Sequence, residues 1–262
     1  YSKYSSCGND FIIVDNRKNI FPINNQYIEE LCDRKNGIGA DGLILLSLAD
    51  NCCYNITYFN SDGHESTFCG NGSMCCGHFA FTLGLLNNKN TGEGLFKTNE
   101  GFFKVNVNLA REFGEVSISM IDVLNVQEFG DNILMNTGSP HYLIFVSDVN
   151  IIDVESKGRA IRNSPQFLND GVNVTFISNL NDQIFIRTYE RGVEAETLSC
   201  GTGAVASALF LRIKKMINYN TILINTKGGL LKVSFKYEDN KFTNISLTSS
   251  LVVKMFDGVL TK

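Results

Sequence analysis

The sequence predicts an α/β fold built from two copies of one unit. Three pairs of similar segments occur in the same order along the chain. The pairs are residues 8–14 and 138–144, Cys69 and Cys200, and residues 98–105 and 226–233, at offsets of 130, 131 and 128 residues. Three collinear matches at nearly one offset indicate an internal duplication. Within each copy, strand-like and helix-like segments alternate.

Hydrophobic periodicity places the elements of the first copy in order. A helix is predicted at residues 26–33, because Tyr27, Ile28 and Leu31 fall on one face. A second helix is predicted at residues 74–86, directly after Cys69 and its glycines. Strands are predicted at residues 11–14, 43–48, 55–60, 103–109 and 116–120.

The second copy repeats this order and leaves one strand over. Strands are predicted at residues 142–146, 172–177, 184–189, 221–225, 230–235 and 242–247, with a helix at 205–216 after Cys200. A last strand near residues 251–256 has no counterpart in the second copy, so we expect it to complete the first. The predicted domains are therefore residues 1–122 with 250–262, which carry Cys69, and residues 123–249, which carry Cys200.

Composition narrows the class of protein. The net charge of −4 and the pI near 5.5 give no basic stripe, which argues against nucleic-acid binding. The apolar runs are shorter than the ~20 residues that a membrane span needs, so no membrane partner is expected. Without a segment of signal-peptide type, the chain is predicted to be cytoplasmic. Its eight cysteines are then not expected to form a disulfide framework.

Two cysteines stand in the same special context. Cys69 precedes Gly70-Asn71-Gly72, Cys200 precedes Gly201-Thr202-Gly203, and each motif leads into a helix-like run. Glycines let the backbone approach a ligand closely and leave N–H groups free to bind it. A helix N-terminus also attracts anions and lowers the pKa of a thiol placed there. The pattern predicts two acidified thiols, each beside an anion-binding turn.

The remaining cysteines favour a plainer interpretation. We expect them to be small buried hydrophobic residues; they are Cys7, Cys32, Cys52, Cys53, Cys75 and Cys76. Metal binding is not predicted, because the spacing from Cys69 to Cys75 and Cys76 lacks the pattern of structural zinc sites.

Seven motifs together resemble the diaminopimelate epimerase family and span nearly the whole chain. They are residues 8–11 (GNDF), 33–41 (DRKNGIGAD), 59–63 (FNSDG), 69–72 (CGNG), 140–141 (PH), 189–192 (YERG) and 200–203 (CGTG). The resemblance implies two pseudo-symmetric halves, each a curled, mostly antiparallel sheet around a central helix, with the active site in the cleft between them. It also implies epimerisation of LL-diaminopimelate to the meso form without a cofactor, in lysine and peptidoglycan-precursor synthesis.

The resemblance assigns roles to individual residues. Cys69 and Cys200 would exchange protons with opposite faces of the α-carbon, one as thiolate base and the other as thiol acid. The substrate would be held by Asn9, Asn60, Gly70, Asn71, Asn173, Glu190, Arg191, Gly201 and Thr202. His141 and Glu190 are expected to assist the thiols as auxiliary bases, although His141 could equally be a structural histidine. No metal is expected, and a homodimer stays open.

Two positions depart from the family pattern near the substrate. Gly42 stands where the family usually carries glutamine, and Ser139 stands where it usually carries asparagine. We expect the loss of two amides to relax selectivity, unless water or neighbouring side chains replace them. The alternative functions are a broader amino-acid racemase, acting for example on glutamate, and a redox or metal-binding cysteine protein without isomerase activity.

Overall fold

The computed structural model describes residues 1–86, 90–110 and 114–260. The chain divides into two compact units. Unit 1 comprises the residues up to Ile118 together with those from Thr248 onward, and unit 2 comprises residues 119–247. Of the first predicted domain, residues 87–89, 111–113 and 261–262 lie outside the described part.

The described residues form a sheet-dominated α/β fold with four α-helices, which confirms the predicted fold class. Up to residue 119 the elements are β1 (Ser2–Ser6), β2 (Asn9–Asp15), α1 (Asn25–Cys32), β3 (Gly42–Ser47), β4 (Tyr54–Asn60), α2 (Gly70–Thr82), β5 (Thr91–Thr98), β6 (Gly101–Asn108) and β7 (Glu115–Ser119). Beyond it they are β8 (Gln127–Phe129), β9 (Asn132–Asn136), β10 (Pro140–Phe145), α3 (Val154–Arg162), β11 (Asn173–Leu180), β12 (Gln183–Glu190), β13 (Ala195–Thr197), α4 (Gly201–Ile213), β14 (Thr221–Thr226), β15 (Gly229–Glu238), β16 (Lys241–Ser249) and β17 (Val252–Asp257).

The two copies detected in the sequence pair their strands in the same order. In unit 1, β2 runs parallel to β3, β3 antiparallel to β4, β4 parallel to β5, and β5 antiparallel to β6. In unit 2 the same alternation joins β10, β11, β12, β14 and β15. Each unit therefore mixes parallel and antiparallel pairs in the same order.

The last strand of the described chain belongs to unit 1. β17 pairs with β1 in antiparallel register, from Ser2 opposite Asp257 to Ser6 opposite Val252. The Tyr1 amino group donates to the Gly258 carbonyl oxygen at 2.9 Å. Unit 1 is thus assembled from both ends of the sequence.

A central helix lies inside the sheet of each unit. α2 lies against β1–β4, β6 and β17, and α4 lies against β9–β12, β14 and β15. Ten of the 13 residues of α2 and 11 of the 13 residues of α4 are buried. A helix that is apolar on every side is stable only when it is surrounded. The composition of both segments therefore dictates their central position.

The outer helices α1 and α3 cover the two sheets. Asn24 caps α1 by accepting from the Tyr27 N–H at 3.0 Å, and Asp153 caps α3 by accepting from the Ser156 N–H at 3.0 Å. α3 was not among the predicted helices, because most of its side chains are polar and it contains Gly158. That glycine is needed, because a Cβ there would lie 2.4 Å from the Tyr189 Cβ.

Candidate active site

Cys69 is the N-cap residue of α2. Its extended backbone (φ −114°, ψ 111°) lets the first turn begin at Gly70, earlier than the predicted residue 74. The sulfur accepts from the Gly72 N–H at 3.4 Å, so the thiol itself takes the place of a capping oxygen. A small pocket beside the half-buried thiol is lined by Tyr58, Glu65 and Ser73, among others.

Cys200 is the N-cap residue of α4 in the same backbone conformation (φ −121°, ψ 109°). Its sulfur lies 3.4 Å from the Thr202 hydroxyl oxygen and 4.0 Å from the His141 Nε2. The residue is buried. Both predicted catalytic cysteines therefore stand at the start of a central helix, where the first N–H groups have no carbonyl partner within the helix.

The second glycine of each motif lies close to its cysteine. A Cβ at Gly72 would lie 3.4 Å from the Cys69 sulfur and 3.0 Å from the Ile44 Cδ1. A Cβ at Gly203 would lie 3.3 Å from the Cys200 Cβ, 3.1 Å from the Thr188 hydroxyl oxygen and 3.2 Å from the His141 Cε1. These glycines let strand side chains close in on the thiol, in addition to freeing the backbone for a ligand.

The expected acidification of Cys200 is wrong for this arrangement. Burial raises the pKa of its thiol well above the ordinary value, and the negative charge of Glu190 raises it further. The Thr202 hydroxyl and the Gly203 N–H lower the pKa, but they do not outweigh burial. In the protein without substrate, Cys200 is therefore a protonated thiol, which can act as an acid.

His141 is completely buried and makes polar contacts through both ring nitrogens. Its Nδ1 lies 3.0 Å from the Thr175 Oγ1, and its Nε2 lies 2.8 Å from the Thr202 Oγ1 and 3.2 Å from the Asn173 Nδ2. Burial lowers the pKa of His141 to about 3, and the charge of Arg191 acts in the same direction. The imidazole is therefore neutral and weakly basic, which makes it a poor auxiliary base and favours a structural role.

Glu190, Asn173 and Arg191 gather around the same corner of unit 2. The Glu190 Oε1 accepts a short hydrogen bond from the Thr197 hydroxyl. The Asn173 Oδ1 accepts from the Arg191 N–H at 2.8 Å, and its Nδ2 donates to the Ser139 Oγ at 2.8 Å. Much of the Asn173 amide is thus used to hold the Arg191 turn in place.

Asn9 and Asn71 are joined in unit 1. The Asn71 Nδ2 donates to the Asn9 Oδ1 at 2.7 Å, and the Asn9 Nδ2 donates to the Asp41 carboxylate at 3.1 Å. Because an ionised carboxylate only accepts, Asp41 fixes which way the Asn9 amide faces. Asn60 is half-buried at the end of β4, and its carbonyl accepts from the Gly63 N–H at 3.0 Å.

Equivalent positions of the two units carry different chemistry. Phe11 pairs with Gly42 between β2 and β3, whereas His141 pairs with Asn173 between β10 and β11. The strands that follow end in Asn60 in unit 1 and in Glu190 in unit 2. The duplication thus supplies two similar thiols with dissimilar neighbours.

Neighbouring residues contact both positions that depart from the family pattern, Gly42 and Ser139. A Cβ at Gly42 would lie 2.5 Å from the Tyr58 ring and 2.5 Å from the Phe59 carbonyl oxygen. The Ser139 hydroxyl accepts from Asn173. The Tyr58 ring therefore occupies the volume that a side chain at position 42 would need.

The other cysteines divide into two groups. Cys7, Cys32, Cys75 and Cys76 are buried, as predicted, whereas Cys52 and Cys53 are only half-buried, in the turn before β4. Burial raises the pKa of Cys32 to about 11 and that of Cys75 well above its ordinary value. All eight cysteines are free thiols.

The described residues contain neither a metal-binding cluster nor a membrane-spanning helix. Within residues 1–86, 90–110 and 114–260, no group of three or more His, Cys, Asp or Glu side chains is arranged to hold a metal ion. Among the same residues, no helix is both long enough and apolar enough to cross a membrane.

Several residues near the two thiols are not predicted from the sequence. Thr175 and Thr188 lie behind His141 in the buried strands β11 and β12, and Tyr58 lies beside Gly42. A threonine inside an otherwise apolar strand was the available signal for the first two. No signal pointed to Tyr58, because a tyrosine in a strand is common.

Comparison with known proteins places this fold. A solved phenazine biosynthesis protein of the PhzF family from Bacillus anthracis matches with a TM-score of 0.75 at 13% identity, over 99% of this chain and 98% of that one. A probable proline racemase from Agrobacterium radiobacter matches with a TM-score of 0.73 at 14% identity, over 100% and 92%. The chain therefore has the same fold as these two proteins.

Sequence comparison specifies the family. The family model described as diaminopimelate epimerase matches residues 1–120 and 133–252. The diaminopimelate epimerase of Flavobacterium psychrophilum is 44% identical over 247 residues, which cover 94% of each chain. That of Aquifex aeolicus is 36% identical, over 99% of this chain and 97% of the relative. These matches, with the fold, define an isomerase of the epimerase class. The chain belongs to the diaminopimelate epimerase family.

Proposed function

We propose that the protein interconverts LL- and meso-diaminopimelate by inverting one α-carbon without a cofactor, with Cys69 and Cys200 as the proton-transferring pair. Family membership over nearly the whole chain supports the substrate. The observation that carries the mechanism is the presence of a cysteine at the N-cap of each central helix. The reaction supplies meso-diaminopimelate for lysine and peptidoglycan synthesis.

The chemistry needs a base on one face of the α-carbon and an acid on the other. Since Cys200 rests as a thiol, it is the acid of the resting enzyme, and Cys69 takes the α-proton. In the reverse direction the two exchange roles. This mechanism requires both thiols to act on one α-carbon.

The first N–H groups of the two helices would bind the α-carboxylate. Gly70, Asn71, Gly201 and Thr202 supply them, and such donors stabilise negative charge as it develops during proton removal. Glu190 is placed to exchange a proton with Cys200. Asn9, Asn60, Asn173 and Arg191 would hold the rest of the substrate, with the Arg191 guanidinium as the natural partner for the distal carboxylate.

Single cysteine variants test the pair. Cys69→Ala and Cys200→Ala should each abolish epimerisation, because each leaves one face of the α-carbon without a proton donor or acceptor. Cys75→Ala and Cys76→Ala remove buried thiols from α2 and should keep most of the activity. The measurement is α-proton exchange into D₂O together with stereoisomer analysis. Near-normal turnover of both isomers by Cys200→Ala would sink the two-thiol mechanism.

The same assay separates the alternatives. A broader racemase would also exchange the α-proton of glutamate, and a redox or metal-binding protein would exchange none. The structure does not favour broadening through Gly42, because Tyr58 fills that position. We further place the enzyme in the cytoplasm and propose a homodimer, which light scattering of the purified protein would test.

A further inference from the structure

The side chain of Thr202 stands between the reacting sulfur and a histidine. Its hydroxyl oxygen lies 2.8 Å from the His141 Nε2 and 3.4 Å from the Cys200 sulfur. The residue is buried in the first turn of α4, and its carbonyl accepts from the Thr137 hydroxyl at 2.8 Å. The backbone is thus held while the single hydroxyl proton can turn toward either neighbour.

Hydrogen bonding fixes the tautomer of His141. The Asn173 Oδ1 accepts from the Arg191 N–H, so the Nδ2 of that amide faces the His141 Nε2 at 3.2 Å. An NH₂ group only donates, and the Nε2 therefore carries a lone pair. The neutral ring then bears its proton on Nδ1 and donates to the Thr175 Oγ1 at 3.0 Å. Toward Nε2, Thr202 acts as a donor.

Turning the Thr202 hydroxyl away leaves His141 satisfied. The Nε2 keeps the N–H of Asn173, and the Nδ1–H keeps Thr175, whose hydroxyl lies 3.1 Å from that of Thr188. Because no buried polar atom is stranded, the change of partner avoids the cost of an unpaired buried group. The hydroxyl is therefore free to follow the charge on Cys200.

Cys200 needs such a donor at one point of the cycle. As its S–H bond breaks, the proton passes to the α-carbon and the electron pair stays on sulfur. The facing Glu190 carboxylate disfavours that thiolate, the neutral His141 offers no proton on Nε2, and Arg191 acts on the imidazole. The donors that favour the thiolate are the Gly203 N–H and the Thr202 hydroxyl.

We propose that Thr202 is a further catalytic residue, whose hydroxyl donates to His141 while Cys200 is a thiol and turns to the sulfur when Cys200 becomes a thiolate. The proposal rests on the proposed function for its role in turnover. The effect of the Thr202 hydroxyl on the Cys200 thiolate does not require substrate. The role of Thr202 and the proposed function can therefore be tested separately.

Alkylation of the free enzyme measures the thiolate directly. The native protein, Thr202→Val and Thr202→Ser would be treated with iodoacetamide at pH 8.5, with the rate at each cysteine followed by mass spectrometry. Valine keeps the shape and removes the donor. We expect the Cys200 rate to fall about tenfold in Thr202→Val, the equivalent of about one unit of pKa, and to return to within about twofold of native in Thr202→Ser. Cys69 is the internal reference and should keep its rate.

Equal Cys200 rates in the three proteins would overturn the proposal, as would a native Cys200 that stays unmodified up to pH 10. Reaction at the buried Cys75 and Cys76 would reveal misfolding of the valine variant. In that case Thr202→Ala takes its place under the same criterion.

A kinetic measurement gives the second readout. With α-deuterated diaminopimelate, slowing only the transfer at Cys200 should raise the substrate isotope effect for one stereoisomer and not for the other. A substrate isotope effect that changes equally, or not at all, for the two stereoisomers in Thr202→Val would mark a merely structural role and overturn the proposal. Absence of turnover by the native protein would sink the proposed function, while the alkylation result would stand on its own.

Discussion

At the scale of single residues, a buried lysine shapes the region behind Asn9. Lys3 is 3% exposed, and its ammonium lies 2.8 Å from the Asp10 carboxylate and also donates to the Gly39 carbonyl oxygen. Arg34 binds Asp10 at 2.7 Å and Asp41 at 2.6 Å. Arg34 thus links the Lys3–Asp10 pair to Asp41, which in turn orients the Asn9 amide.

This cluster should make stability depend on pH in the acid range. Burial opposes ionisation of Asp10, but hydrogen bonds and charges of Arg34 and Lys3 outweigh it and lower the pKa to about 2. The folded-state pKa is below the unfolded value of ~3.9, so the stabilisation is fully present above about pH 4 and is lost as the pH falls to about 2.

We expect Asp10→Asn to lower the free energy of unfolding by about 2–4 kcal/mol at pH 7, because Lys3 loses its buried carboxylate. The difference from native should shrink between pH 4 and pH 2. Urea unfolding at pH 7, 5, 3 and 2 measures it. Asp15→Asn is the matched control, since Asp15 ends the same strand but pairs with the more exposed Arg17, and it should cost less than about 1 kcal/mol. A difference that stays constant with pH would contradict the prediction.

Sequence could single out the two cysteines that we propose carry the chemistry, but not the residues that surround them. Cys69 and Cys200 stand out because their glycine context occurs twice. His141 on β10 and Glu190 on β12 both act on Cys200 but are about 50 residues apart in sequence, so only the folded sheet brings them together. The direction of the Cys200 pKa also depends on burial, which a local motif does not contain.

At the scale of elements, the two central helices differ in how tightly their first turns are enclosed. The atom nearest to a Cβ at Gly72 is the end of the Ile44 side chain, which can move. The atoms nearest to a Cβ at Gly203 belong to Thr188 and His141, which are hydrogen-bonded to Thr175. The start of α4 therefore tolerates less added volume than the start of α2.

Replacing each of these two glycines with alanine should reduce activity to different extents. We expect Gly203→Ala to lower kcat/KM at least about tenfold, because the methyl group presses on His141 and Thr188 beside Cys200. Gly72→Ala should have a smaller effect, since Ile44 can change rotamer. Steady-state kinetics and thermal unfolding of both variants provide the measurement. A larger loss of activity in Gly72→Ala would refute this ranking.

Most elements could be predicted from periodicity, with errors at the ends. α2 and α4 begin before the predicted residues because each cysteine is itself the cap. β5 was missed because two glycines interrupt its apolar pattern, and α3 because its polar face dominates its sequence. Local caps set the helix starts, whereas β5 is held by its pairing with β6.

At the scale of the whole molecule, unit 2 is continuous in sequence and unit 1 is not. β17 supplies the outer partner of β1, and the Ser2 hydroxyl donates to the Asp257 carboxylate at 2.5 Å. The sequence offered this arrangement through one strand left over after the repeat. Unit 1 without β17 would expose the edge of β1 and one side of α2.

Removing residues 251–262 should destabilise unit 1 selectively. We expect faster hydrogen exchange in β1 and β2, while β10, β11 and β12 keep most of their protection. The control is a protein lacking residues 259–262, which retains β17 and Gly258 and should exchange much like the native chain. Hydrogen–deuterium exchange with mass spectrometry resolves the two regions. Uniform loss of protection across both units would contradict the expectation.

The pairing of β1 with β17 also sets an order of events on the ribosome. Strands β1 to β7 are synthesised first. The outer partner of β1 in their sheet, β17, is synthesised only after all of unit 2. Unit 2 is complete in sequence at residue 247, whereas unit 1 lacks β17 until residue 257. Until then the edge of β1 is open to wrong partners or to chaperones. The half of the protein that is synthesised first is the half that closes last.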